Sequence, residues 1–142
     1  MKGNARVVFG GAVVLWLCFV GSATFAATVL SKAQQDVVAA QIAELQTSEE
    51  RGMASEWSDA KKVAEFICRP LAMSEVKKWN KDADRVFLGT DDPDTLDLPT
   101  NRLLTGSGQV RTGNDWTTFT FNCELDAGTG KALSFETSLS SK

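Results

Sequence analysis

Three cysteines constrain the fold of this 142-residue chain more than any other feature of its sequence. Cys18 lies in an apolar N-terminal segment that is typical of a cleaved signal, which leaves Cys68 and Cys123 in the body of the protein. Two cysteines in an exported domain most simply form one disulfide, because oxidising compartments allow the bond to persist. A redox-active pair or a thiolate metal site is the alternative, although neither cysteine lies in a Cys-x-x-Cys motif.

Residues 1–26 have the three parts of a secretory signal peptide. A basic start is followed by the apolar residues 7–20, and the small side chains of Thr24 and Ala26 precede a cleavage site before Ala27. The alternatives are a retained membrane anchor and a lipoprotein, but glycines dilute the apolar stretch and a bulky leucine precedes its cysteine. We therefore expect a cleaved signal and a periplasmic or secreted protein with no membrane attachment after cleavage.

Histidine is absent, which removes Ser–His and Cys–His catalytic pairs, histidine metal ligands and imidazole acid–base chemistry. Loss of the signal takes Lys2 and Arg6 from the 15 basic residues and none of the 18 acidic residues, so the net charge falls from −3 to −5. An acidic surface disfavours binding to nucleic acid or to an anionic membrane. We expect no nucleic-acid partner, no metal and no cofactor.

Residues 27–54 predict an N-terminal helical arm that ends near residues 48–52, where Gly52 would break the helix. The arm carries a narrow apolar stripe at helical spacing: Val37, Val38, Ile42 and Leu45. The stripe could pack on the body of the protein or mediate self-association with a second copy.

Residues 55–142 predict a disulfide-stabilised α+β domain that begins with a helix. Ser58 is a natural N-cap, and the apolar face that follows carries Cys68 inward. Pro70 is expected to interrupt this helix, because the residue before a proline is pushed out of the α region. A short helix that contains Trp79 then completes the helical part.

From Asp84 onward, alternating apolar and polar residues predict strands. We expect strands at residues 85–88, 102–111 and 116–125 and a fourth after a turn at 126–130, with residues 90–100 as a loop. The expected inward side chains of the last two strands are Phe119, Phe121, Cys123 and Leu125, then Leu133, Phe135, Thr137 and Leu139. The predicted fold is therefore α+β, with N-terminal helices packed on a roughly four-stranded antiparallel meander and one helix-to-sheet disulfide.

Three patterns suggest chemistry but have simpler structural explanations. The loop acids Asp91, Asp92, Asp94 and Asp97 suggest calcium, yet they lack EF-hand spacing and act more simply as turn formers. Gly106-Ser107-Gly108 lacks the rest of a phosphate-binding loop and more simply marks a bulge or a close backbone approach. The acids Asp115, Glu124 and Glu136 could serve a glycosidase, but they fall on polar strand faces. We assign no catalytic residue.

Trp116 is the residue that most favours a binding surface. Its parity in the strand is opposite to that of Phe119 and Phe121, so it lies either at the strand margin, covering the edge of the core, or on the polar face. Displayed on the polar face beside Arg111 and Thr118, it would suit recognition of a partner.

From Cys68 onward the sequence resembles a family of exported alphaproteobacterial proteins of unknown function, catalogued as DUF930 and found largely in the Rhizobiales. The resemblance covers residues 65–138 and rests on dispersed positions: Cys68, Ala72-Met73, Asp84-Arg85-Val86, Gly106-x-Gly108-x-x-Arg111, Trp116, Phe119-x-Phe121-x-Cys123, Lys131 and Ser134-Phe135. Family members often carry an aromatic residue after the tryptophan, where this chain has Thr117. The resemblance implies export and a disulfide, and it brings no catalytic residue.

Taken together, these features predict a small exported domain that binds a protein partner in the cell envelope rather than catalysing a reaction. Two alternatives come from other classes. One is a histidine-free hydrolase that uses Asp/Glu or Ser/Lys groups, and the other is a purely structural accessory protein of the envelope.

Overall fold

A computed structural model describes residues 29–90 and 92–139. The predicted signal peptide, its cleavage site and Asp91 lie outside the described residues. The helices are α1 (Lys32–Glu44), α2 (Ser48–Glu56), α3 (Asp59–Val63) and α4 (Arg69–Trp79), with a π-helical turn at Ala64–Cys68 between the last two. The strands are β1 (Arg85–Leu88), β2 (Leu96–Thr100), β3 (Leu103–Thr112), β4 (Asp115–Asp126) and β5 (Lys131–Leu139), with a 3₁₀ turn at Pro93–Thr95 before β2. In the part of the chain so described, no helix combines the length and the apolar character that crossing a bilayer requires.

The predicted α+β class is confirmed, with helices packed on an antiparallel sheet that has five strands rather than four. The predicted loop at 90–100 was wrong at its end, because β2 forms there and pairs with the first half of β3. β1 pairs with the second half of β3, so β1 and β2 together make one interrupted edge strand. Gly89, at φ 70°, lets the chain leave this edge, and the chain returns at Leu96 opposite Gly106. The acidic loop is therefore an excursion from the sheet edge.

The helix ends are fixed by capping side chains rather than by glycine. Ser31 caps α1 and Thr47 caps α2, each through a reciprocal capping box with the residue three positions later. The predicted break at Gly52 was wrong, because Gly52 lies inside α2 on an exposed turn. The predicted N-cap is confirmed, since the Ser58 hydroxyl accepts a hydrogen bond from the Lys61 amide.

The sequence predicts that Pro70 interrupts the helix, and this prediction was wrong. The chain passes from α3 through a π-helical turn into α4, and the backbone of Cys68 and Arg69 stays in the right-handed helical region. Pro70 falls in the first turn of α4, where the amide hydrogen that proline lacks is not needed. Residues 59–79 therefore form one long helical unit.

The predicted disulfide between Cys68 and Cys123 is present and joins this helical unit to β4. The two Cα atoms are 6.2 Å apart, and both side chains are fully buried. The surrounding core draws on the helices and on one face of the sheet, and its largest fully buried apolar side chains are Phe119, Leu88, Leu104, Leu125, Val63 and Val76. The predicted inward face of β4 is confirmed: Phe119, Phe121, Cys123 and Leu125.

The N-terminal helix α1 packs on the body of the protein. Val38 is buried, and Val37 and Ile42 pack against the core. Gln34 is fully buried, and its side-chain Nε2 donates a 2.7 Å hydrogen bond to the carbonyl of Asn101 in the β2–β3 turn. Three of the four residues of the predicted apolar stripe, all except Leu45, thus pack within the molecule, and the buried Gln34 side chain links the helix to the β2–β3 turn.

The predicted inward position of Leu133 on β5 was wrong. The pairing of β4 with β5 shifts by one residue between Glu124 and Leu125, so that Ala132 rather than Leu133 lies opposite Leu125. Leu133 is left 63% exposed. A β-bulge inserts one residue into a strand, which reverses the facing of side chains beyond it.

Gly106 and Gly108 of β3 lie where other atoms of the protein come very close to the backbone, which is one of the two structural interpretations that the sequence offered. A Cβ atom on Gly106 would lie 2.4 Å from the carbonyl oxygen of Thr95, and one on Gly108 would lie 2.6 Å from the Phe119 ring. Pairing with β4 runs through both glycines without a register shift, so neither marks a bulge in that ladder.

We predict opposite effects on stability for alanine at two glycines. Gly108→Ala places a methyl group against the buried Phe119 ring and should lower the free energy of unfolding by about 1–3 kcal/mol. Gly52→Ala has open space in a helix interior and should raise it by about 0.5–1 kcal/mol. Urea unfolding followed by circular dichroism measures both, and equal effects of the two substitutions would contradict the packing described here.

Candidate binding surface

The sheet has one face on the helices and one face that no described element covers. On β4 the side chains of the uncovered face alternate with the core residues and are all exposed: Trp116, Thr118, Thr120, Asn122 and Glu124. An antiparallel sheet with one solvated face ordinarily shows this alternation. What distinguishes this face is the large aromatic side chain at one end of it.

The structure brings the three predicted surface residues together at that end. Arg111 on β3 lies directly opposite Trp116 on β4. Two residues along each strand, Gln109 lies opposite Thr118. Pairing partners in a sheet share a face, so all three side chains emerge from the uncovered face. Trp116 is the second residue of β4, and its side chain is 50% exposed.

Phe87 on β1 is a surface residue that the sequence interpretation missed. Its ring centroid lies 5.7 Å from that of Trp116, and the guanidinium groups of Arg69 and Arg85 lie 6.0 and 5.9 Å from it. The alternation within β1, with Val86 and Leu88 buried, was the signal that could have placed Phe87 on the outer face. We call the group of Phe87, Trp116, Arg85, Arg111, Gln109 and Thr118 the aromatic corner.

An ion pair holds Arg111 in the aromatic corner. Arg111 Nε donates a 2.7 Å hydrogen bond to Asp84 Oδ1, and the Gly113 amide donates to Asp84 Oδ2 at 3.1 Å. The hydrogen bond from Arg111 is the main cause that lowers the pKa of Asp84 below its usual value, helped by the Gly113 amide and opposed by desolvation. The carboxylate therefore stays ionised near neutral pH and anchors the guanidinium.

A cleft runs from the aromatic corner to the first turn of α3. One part has a volume of about 300 Å³ and is lined by Lys61, Phe87, Gly89, Thr90, Gln109 and Trp116. The adjoining part has a volume of about 320 Å³ and is lined by Trp57, Ser58, Lys61, Thr90, Asp92, Pro93 and Leu96. The two parts share Lys61 and Thr90 in their linings, so they adjoin each other, and each contains one partly exposed tryptophan. We call the pair the two-Trp cleft.

Lys61 crosses the middle of this cleft and ties the helix to the sheet edge. Its ammonium group bonds Glu65 at 2.9 Å and the Leu88 carbonyl at 3.1 Å, and it lies 5.9 Å from the centroid of the Trp57 ring. Trp57 in turn stacks on Phe66, with ring centroids 5.9 Å apart. These residues could not be joined to Trp116 from the sequence, because no local pattern tells which helical turn lies against β1.

The structure leaves exposed the three carboxylates that the sequence suggested for a glycosidase. Glu124 and Glu136 are exposed on the uncovered face, and Asp115 is exposed at the start of β4. A 420 Å³ cavity between α4 and β5 contains Glu75 and Glu136, but Glu75 bonds Lys78 at 2.6 Å. The pKa of Asp126, like that of Asp84, is lowered, chiefly by the Thr129 hydroxyl, whereas a general acid needs a raised one.

The acidic loop has turn geometry. Asp92 Oδ1 accepts the Asp94 amide at 3.0 Å, and the Thr90 hydroxyl accepts the Asp92 amide at 3.1 Å. Within residues 29–90 and 92–139, no cluster of three or more Cys, Asp or Glu side chains has the geometry to hold a metal ion.

Comparisons of the chain with models of protein families, with curated proteins and with solved structures found no match. The arguments about function therefore depend on the residues and contacts described above.

We predict a pH-dependent contribution from Asp84. A carboxyl group whose pKa is lower in the folded protein than in the unfolded chain stabilises the fold at pH values above its pKa in the unfolded chain. This contribution to the free energy of unfolding disappears as the pH falls through the pKa of the folded protein. Asp84→Asn should therefore be less stable than wild type at pH 7, and the two should converge as the pH falls below the lowered pKa of Asp84. Urea unfolding at several pH values measures this.

Asp82→Asn is the matched control, because Asp82 is an exposed carboxyl two residues away that makes no hydrogen bond to another described residue. Its stability should follow that of wild type over the whole range. A constant difference between Asp84→Asn and wild type at all pH values would show that the Asp84 carboxylate does not contribute through its ionisation.

Proposed function

We propose that this protein is an exported, non-enzymatic binding domain of the cell envelope, and that the aromatic corner is its recognition surface. The observation that carries the proposal is Trp116, which is half exposed on a sheet face that no described element covers and is backed by Phe87. Tryptophan and arginine are the side chains most enriched among residues that dominate binding energy. Here Arg111 and Trp116 are direct cross-strand partners.

Export is supported by two independent features. The first 26 residues have the pattern of a cleaved signal peptide, and the remaining pair of cysteines forms a buried disulfide of the kind that persists in oxidising compartments. The resemblance to the DUF930 family of exported proteins points in the same direction, and we include membership of that family in the proposal.

The ion pairing of acidic side chains near the aromatic corner favours binding over catalysis. Two acidic side chains that pair with residues at or beside the aromatic corner are Asp84, which is ion-paired with Arg111, and Glu65, which is ion-paired with Lys61 and Arg69. Such pairs position neighbouring side chains but supply no proton donor or nucleophile near neutral pH. Because the stripe of α1 packs on the core, we assign the partner to the aromatic corner rather than to self-association through α1.

The experiment is capture of envelope components on the exported protein. Full-length protein expressed in the native host should be recovered from the periplasmic or secreted fraction with its N-terminus at Ala27, as read from its intact mass. Immobilised, this protein should retain an envelope component stoichiometrically, and Trp116→Ala should weaken retention at least about 30-fold, the effect of losing a dominant tryptophan.

Leu133→Ala is the matched control, because it truncates another exposed apolar side chain far along the sheet on the β5 bulge. It should leave retention unchanged. Recovery of the protein in the cytoplasm with residues 1–26 attached would overturn export, and equal retention by wild type and Trp116→Ala would overturn the assignment of the surface.

A further inference from the structure

The two-Trp cleft presents two aromatic platforms at its ends. The Trp57 side chain is 36% exposed and stacks on Phe66, whereas Trp116 is 50% exposed and packs against Phe87. Each indole is therefore supported from within the protein while part of it faces solvent. An aromatic side chain with a supported ring is a rigid contact that loses little conformational entropy on binding.

Between the platforms the cleft offers uncharged hydrogen-bonding groups. Gln109 is exposed, and its carboxamide makes no hydrogen bond to another described residue, so it presents a free donor and a free acceptor. The Thr90 hydroxyl, which also lines the cleft, is oriented by its contacts with the Asp92 amide and with Thr95. A ligand that spans the platforms would meet both kinds of group.

The cleft carries little net charge. Its described lining contains one cation, Lys61, and one anion, Asp92. Glu65 pairs with Lys61 at 2.9 Å and also with Arg69 at 2.7 Å, so this one carboxylate compensates part of their combined charge. Arg85 and Arg111 flank the Trp116 end but are not among the residues that line the cleft, and Arg111 is paired with Asp84. The described lining itself contains no Lys or Arg cluster of the kind that recognition of phosphate or acidic groups uses.

One backbone group at the sheet edge beside the cleft is already used. The Leu88 carbonyl of β1 accepts a hydrogen bond from Lys61 Nζ at 3.1 Å. A peptide that bound as an extra strand would need free backbone groups at an edge, so the adjoining helix hinders strand addition at Leu88.

We infer that the two-Trp cleft binds a neutral oligosaccharide chain, with one sugar ring stacked on each indole. A pyranose ring has apolar C–H faces that match an aromatic face, and its hydroxyl groups donate to and accept from amide and hydroxyl side chains such as those of Gln109 and Thr90. An uncharged sugar chain also needs no counter-charge from the protein. This inference rests on the proposed binding function and names the class of ligand.

The test is calorimetric titration of the mature, disulfide-bonded protein with three neutral hexasaccharides: β-1,4-linked glucose, β-1,4-linked N-acetylglucosamine and α-1,4-linked glucose. We expect at least one to bind with a dissociation constant in the millimolar range or tighter. Trp57→Ala and Trp116→Ala should each weaken this binding roughly tenfold or more, and titration should shift the tryptophan fluorescence.

Gln109→Leu tests the cleft without risk to the fold, because the Gln109 side chain makes no hydrogen bond to another described residue. It should weaken binding by roughly three- to tenfold, the effect of one lost hydrogen bond. Gln41→Leu makes the same change on the exposed side of α1 and should leave the affinity unchanged.

A hexamer of galacturonate and a proline decapeptide probe the other ligand classes. Failure of all three neutral hexasaccharides, binding that is unaffected by Trp57→Ala, or binding of only the galacturonate hexamer or the proline peptide would overturn the inference. If the neutral sugars fail while Trp116-dependent capture of an envelope component persists, the proposed function stands and only the ligand class falls.

Discussion

The bond between Cys68 and Cys123 is the interaction on which the rest of the structure depends. It ties the middle of the long helical unit to β4, an interior strand of the sheet, at a point where both side chains are fully buried. The two cysteines are 55 residues apart in the chain, so the bond removes about 4 kcal/mol of loop entropy from the unfolded state. A domain of this size has a total stability of about 5–15 kcal/mol, and one bond therefore supplies a large share of it.

The same bond also positions the candidate site. Cys68 ends the π-helical turn, which joins α3, in contact with β2, to α4, in contact with β1. As a result, Lys61 from α3 reaches the Leu88 carbonyl and Arg69 from α4 lies over the Phe87 ring. The helical unit thus forms one wall of the two-Trp cleft and the sheet forms the other. A covalent link, together with the shared core, fixes their relative position.

Strand alternation and cysteine placement made much of this fold predictable from the sequence. The parity of β4 separates Trp116 and Thr118 from the core residues, and parity within β1 could have added Phe87. The inward faces of the helix and of β4 place Cys68 and Cys123 where a helix-to-sheet bond forms. These inferences succeed because the side chains of a strand alternate between two faces whatever the rest of the chain does.

The errors arose where tertiary contacts outweigh local preference. β2 is rich in Asp and Pro and resembles a loop, yet it forms a strand because β3 offers an unpaired edge beside it. Gly52 is tolerated inside α2 because a capping box at Thr47 fixes the start of that helix. The bulge that exposes Leu133 and the approach of Lys61 to β1 depend on how elements meet, which the local pattern does not encode.

The measurement that tests the central role of the disulfide most directly is the free energy of unfolding in urea of the oxidised protein and of the Cys68→Ala/Cys123→Ala double variant. The account predicts that the variant is less stable by about 3–5 kcal/mol, since it loses both the constraint on the unfolded chain and buried sulfur contacts. Unfolding curves that coincide for the two proteins would contradict it, because the helical unit would then be held to the sheet by packing alone.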